Sequence, residues 1–181
     1  MKRIAVIGVL LLTAGFLAWL AYLFWPNTVD IEAQGMKYRL GTPGAPEERL
    51  LNVRIKGTIY RENFMGDRRF HGTIELEGEE IPVPAAYRKT DFVRPRGFEY
   101  YFIFFHYVDR LGRLQNVHLG LLFLDEDAGR VAIAMYEPEE DGAGWNSDTG
   151  LMVAAPASNR EEAVALSNEL MQRYLGGYVL E

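Results

Sequence analysis

The chain has 181 residues, 13% aromatic and 24% charged, a composition that supports one dense core rather than two. Its net charge of −6 sets it against phosphate backbones, so nucleic acid is not an expected partner. It has no cysteine, which excludes disulfides, thiolate metal sites, a Cys nucleophile and a lipid-modified Cys.

Lys2 and Arg3 precede an uncharged apolar run, Ile4–Trp25, broken only by Gly8, Thr13 and Gly15. A helix of that length spans about 30 Å, the hydrocarbon thickness of a bilayer. The run ends in bulky Leu23-Phe24-Trp25 and has no A-x-A cleavage pattern, so it reads as a retained signal-anchor and not a removed signal peptide. The positive charges before it predict a cytoplasmic tail over 1–3, a transmembrane helix over 4–25 and an extracytoplasmic remainder. The expected location is therefore the cell membrane, single-pass, with the bilayer held through residues 4–25. The absence of cysteine in an exported domain favours a Gram-positive bacterial setting.

Pro26 stops the helix, and residues 26–50 read as a turn-rich tether holding at most a short edge strand at Met36–Leu40. From Leu51 the apolar period becomes two. Leu51, Val53, Ile55 and Ile59 alternate with polar residues, and Phe70, Gly72, Ile74 and Leu76 repeat the pattern. Pro82 and Pro84 make Ile81–Val83 an edge strand or no strand. Phe98–Val108 is apolar on both faces and predicts a covered central strand. A hairpin through Asp109–Arg113 leads into Leu114–Leu124, with Gly112 suited to a positive φ. Strands over Arg130–Tyr136 and Gly150–Ala155 flank a polar loop, Glu137–Gly150.

Ser158 and Glu161 predict a capping box, followed by a helix that Gly176 and Gly177 end. Tyr178–Leu180 is read as a last edge strand. The expected fold class is α+β: an N-terminal transmembrane helix, then a mainly antiparallel sheet of about six or seven strands over 51–181, with one C-terminal helix packed on it.

Candidate chemistry is sparse. His106 and His118 fall near each other across the hairpin and are weak zinc candidates, though histidines in aromatic sheets more often pack and hydrogen-bond. In the polar loop Glu139, Asp141 and Asp148 offer oxygens for calcium without EF-hand spacing. Trp145 and Asn146 are the partner-binding candidates, Trp145 as a stacking ring or anchor; the plain alternative is that it folds back to plug the sheet. No nucleophile elbow, P-loop or dinucleotide fingerprint occurs, so no catalytic residue and no cofactor is assigned.

The segments Phe70-His71-Gly72-Thr73-Ile74-Glu75-Leu76-Glu77-Gly78 and Gly144–Ala163 resemble small exported or membrane-anchored proteins of Bacillus-like Gram-positive bacteria. That resemblance implies an envelope location and carries no activity. The function expected from the sequence is a non-catalytic binding or interaction module at the cell envelope, with an envelope protein or the cell wall as partner. The alternatives are a calcium- or glycan-binding domain acting through 137–150, and a metal-dependent envelope hydrolase.

Overall fold

Period-two alternation builds the fold strand by strand. In β2 (Arg49–Arg61), Leu51, Val53, Ile55 and Ile59 are buried while Asn52, Arg54 and Lys56 face water. In β3 (Arg68–Leu76), Phe70, Ile74 and Leu76 take the buried face. The computed structural model describes residues 2–61, 67–125, 129–139 and 142–181, with the side chains of Lys2–Val6, Val9 and Glu139 left out.

Eight strands close into one barrel in which every neighbouring pair is antiparallel. β1 (Asn27–Arg39), β2, β3, β4 (Thr90–Arg94), β5 (Tyr100–Val108), β6 (Leu114–Asp125) and β7 (Arg130–Met135) follow one another as a meander. A separate hairpin, β8 (Glu137–Glu139) and β9 (Gly142–Gly144), precedes β10 (Leu151–Ala155). β10 pairs with both β7 and β1 and shuts the circle, for example at Val153↔Ile133 and Lys37↔Val153.

The expected open sheet of six or seven strands is therefore corrected to a closed eight-stranded barrel. Two strands absent from the expected set account for the change. β1 occupies the segment read as a tether, and β4 lies between Val83 and Phe98, where the sequence reading placed no element. The transmembrane signal-anchor and the single-pass membrane location are corrected as well. Among the described residues no helix is long and apolar enough to cross a membrane. Lys2–Leu23 forms a helix, α1.

An eight-stranded barrel is just wide enough for side chains to fill or for one small ligand to enter. Here aromatic rings fill it. Phe70 stacks on Phe92 at 5.7 Å, Phe92 meets Phe105 edge-on at 5.6 Å, and Phe70 meets Tyr101 at 6.3 Å. The room for Phe70 comes from Gly57 and Gly72, paired in register, since a Cβ at either would collide with its ring. Each fully buried Phe or Ile contributes roughly 1.5–3 kcal/mol of hydrophobic stabilisation. Ile81 and Val83, the doubtful strand, form no strand and drop into one end of this core, held there by Arg88 bonding to the Val83 and Ile81 carbonyls.

Gly120 inserts a bulge in β6. Its φ of +147° and its closeness to the Ala134 carbonyl admit no side chain. The extra residue changes which face each neighbour serves: Leu119 and Leu122 enter the barrel, while Leu121 and Phe123 face outward. That outer face carries small Ala132, Ala134 and Ala154, so α2 (Arg160–Leu170) lies close against it. The helix starts one residue later than the sequence implied. Asn159 is the N-cap and accepts from the Glu162 amide, while Glu162 accepts from the Ser158 amide. A short turn of helix, α3 (Gln172–Leu175), ends at Gly176 in the left-handed conformation. Tyr178–Leu180 forms no strand; Asn168 pairs with both backbone groups of Leu180.

Candidate functional site

His106 and His118 both point outward from the β5–β6 hairpin, where His118 stands opposite Phe104 and His106 opposite Asn116. The His106 ring hydrogen-bonds to the Asn116 side chain and packs on Phe104 at 4.9 Å. Among the described residues no group of three His, Cys, Asp or Glu is placed to share a metal ion. Asp141 and the side chain of Glu139 lie outside the described residues. Asp148 is exposed and accepts a 2.7 Å bond from the Tyr178 hydroxyl, which pushes that phenol up from its ordinary pKa.

Asn146 serves its own turn. Its Oδ1 accepts from the Asp148 amide at 3.0 Å, the Thr149 amide at 2.8 Å and the Thr149 hydroxyl at 3.2 Å. Trp145 folds back against Gly150 and Tyr174, half-buried, with its ring 6.2 Å from that of Tyr174. It is thus a supporting wall for the rings beside it.

His71 and Asp91 form the tightest imidazole–carboxylate contact, Nδ1 to Oδ1 at 2.8 Å, on the outer face of β3 and β4. Thr58 stands directly across from His71. A hydroxyl, an imidazole and a carboxylate in one row suggest nucleophilic chemistry, but β3 is ladder-paired on both sides. Its amides are consumed by the sheet, and no oxyanion would find donors there. The row is a structural polar seam.

The aromatic residues leading into β5 make a different kind of place. Phe98, Tyr100 and Tyr174 border an open cleft of about 340 Å³ between the start of β5 and α3. Tyr100 is the floor. Phe98 meets it at 5.3 Å and 70°, and Tyr174 at 5.3 Å and 86°, so two walls rise on one base. Phe98 is 45% exposed and Tyr174 41% exposed, and both present ring surface to solvent. Behind them Phe123 packs on Tyr100 and Tyr174, which holds the rings in place. Glu99 and Arg173 form a 2.6 Å ion pair at the same cleft. Burial raises the Tyr100 and Tyr174 phenols above their ordinary pKa, so both stay protonated donors at neutral pH.

In comparisons with known proteins, no family model, no curated protein and no solved structure matches the chain. The chemistry of the cleft therefore carries the functional argument. Flat apolar ring faces beside hydroxyls and a carboxylate–guanidinium pair suit a ligand with alternating apolar and polar surfaces. The signal for it in the sequence is the aromatic run at the start of Phe98–Val108, read there as a covered strand. Its pairing with Arg173 and Tyr174 exists only in the fold.

Proposed function

We propose that this chain is a non-catalytic binding module that holds a glycan in the cleft between Phe98, Tyr100 and Tyr174. The observation that carries the reading is the arrangement of two exposed rings standing on a third, with the Glu99–Arg173 pair beside them. Sugar rings offer C–H faces for stacking and equatorial hydroxyls for a charged hydrogen-bonding pair. The filled barrel supports the same conclusion, since aromatic side chains occupy the volume a carrier protein would give to its cargo.

The test is calorimetric titration of the full chain with N-acetylglucosamine oligomers of increasing length. Binding that strengthens with length and is lost in Phe98→Ala and Tyr174→Ala supports the reading. Absence of heat with every oligomer, or unchanged affinity in both variants, rejects it.

A further inference from the structure

The hairpin of β5 and β6 outruns the strands on either side of it. The two pair along their length from Tyr100↔Phe123 to Val108↔Leu114, but β7 meets β6 only from Gly120↔Met135 to Asp125↔Arg130. One further bond, from the Tyr136 amide to the Leu119 carbonyl, ends that contact. Beyond it Pro138 has no N–H to give, and the chain turns into β8, where Arg39 bonds both Glu137 carboxylate oxygens. On the β5 side of the hairpin, the Tyr87 ring packs on Tyr107 at 5.7 Å. The β6 side stays open. Among the described residues no strand pairs with Leu114–His118 on the side away from β5.

The turn decides which groups that edge presents. The Asp109 amide donates to the Arg113 carbonyl at 2.9 Å, so these two residues form a hydrogen-bonded pair. Bonded and non-bonded pairs alternate along an antiparallel ladder. Tyr107↔Gln115 and Phe105↔Val117 are therefore bonded, whereas Leu114, Asn116 and His118 turn their N–H and C=O groups away from β5. The side-chain bond between His106 and Asn116 agrees, because non-bonded pairs bring side chains closer together. Three donors and three acceptors thus line about 13 Å of edge. Natural edges are blunted by proline or by charged side chains, and residues 114–118 carry neither lysine, arginine, acid nor proline. At the turn, Arg110 is exposed and forms no ion pair with any described residue, and the Arg113 side chain is 67% exposed beside Asp109. Asp109 is the one acid between Val108 and Leu114, so this end of the edge is cationic.

We propose that this edge receives an extended peptide as an added strand, antiparallel to β6 and in line with β7, with acidic residues at its C-terminal end. Six backbone hydrogen bonds to Leu114, Asn116 and His118 hold it. The antiparallel direction, shared by every pair in the barrel, brings the C-terminal end of the peptide to the turn, where its carboxylates meet Arg110 and Arg113. Peptide residues opposite Gln115 and Val117 face the barrel, where Val117 packs against the core, so apolar side chains suit them. The inference rests on strand pairing and is independent of the glycan cleft.

Hydrogen exchange, read residue by residue by NMR on the full chain, tests it with the peptide acetyl-TVTVTEE-amide. In the free chain the amides of Leu114, Asn116 and His118 exchange fast and those of Gln115 and Val117 slowly. Saturating peptide slows the first three by about tenfold or more. Methylating the peptide's threonine nitrogens, which face β6 in this register, abolishes the protection; methylating its valine nitrogens does not. Acetyl-TVTVTKK-amide binds about fivefold more weakly, and Arg110→Glu narrows that difference. Asn116→Pro deletes an outward donor and abolishes binding, while slow exchange at Gln115 and Val117 verifies that the hairpin is intact. Unchanged exchange at the three amides, or protection that survives threonine methylation, overturns the proposal. So does protection already present in the free chain together with a dimer in sedimentation, which assigns the edge to a second copy.

Discussion

The Tyr38 hydroxyl donates a 2.7 Å hydrogen bond to Ser167 Oγ, joining β1 to α2 where both side chains are fully buried. This contact fastens the helix to the barrel at the strand whose pairing with β10 closes the circle. Replacing Tyr38 by Phe strips the buried Ser167 of that partner, at a cost of about 1–2 kcal/mol. Ser167→Ala costs a similar amount, and the double variant less than the sum of the two, because each single change already breaks the same bond. Urea denaturation of the four chains measures the cycle; strict additivity would refute the coupling.

The same tyrosine sets an alkaline limit. Burial pushes its phenol up to about 12 from an ordinary 10, outweighing the opposing effects of Ser167 and Arg160. The unfolded chain therefore loses this proton before the folded one does, and stability falls as pH rises through that interval. The thermal transition should drop steeply between about pH 10 and 12, and Tyr38→Phe should flatten that limb. A limb of equal slope in the variant would count against the assignment.

An acidic limit comes from the neighbouring residue of β1. Lys37, only 9% exposed, and Arg49 both contact Glu79 at 2.6 Å. Burial pushes the Glu79 carboxyl up, but the bonds from Lys37 and Arg49 outweigh it and hold it below its ordinary 4.5. A depressed carboxyl adds stability above its unfolded pKa, and that stability is lost as pH falls through the folded value. Glu79→Gln leaves Lys37 without its charge partner and costs about 1–2 kcal/mol at pH 7, discounted for water at the mouth. The difference from the parent should shrink below pH 4.5 and vanish in stronger acid, as read by denaturation at several pH values.

Gly57 and Gly72 leave the Phe70 ring its place, so Gly57→Ala or Gly72→Ala must move either that ring or the facing backbone. Each should cost about 1–3 kcal/mol by overpacking. Shortening Phe70 to Leu in the Gly72→Ala background should return part of the loss, which would be absent if the glycines mattered only for backbone freedom.

Trp145 reports on the glycan cleft, since its ring lies 6.2 Å from Tyr174. Oligosaccharide binding should alter tryptophan emission in the parent chain and leave it unaltered in Trp145→Phe, with affinity retained. Loss of affinity in that variant would make Trp145 part of the recognition surface.

The local pattern of side chains determined much of this protein. Strict alternation in Leu51–Ile59 and Phe70–Leu76 announced β2 and β3, and the aromatic run with its Gly112 turn announced the β5–β6 hairpin, where Gly112 takes φ +77°. The helix near 160–175 was equally plain, apart from a cap displaced by one residue. Closure was decided only in three dimensions. In β1 the inward positions after Ile31 are Ala33, Gly35 and Lys37, too small or too polar to signal a core strand, and β4 contributes a single fully buried side chain, Phe92. Those two strands gain their place from partners distant in the chain, Met36 from Ala154 and Phe92 from Phe70. The aromatic cleft arises the same way, since it joins residues from strand and helix, and a local period has no record of which ends will meet.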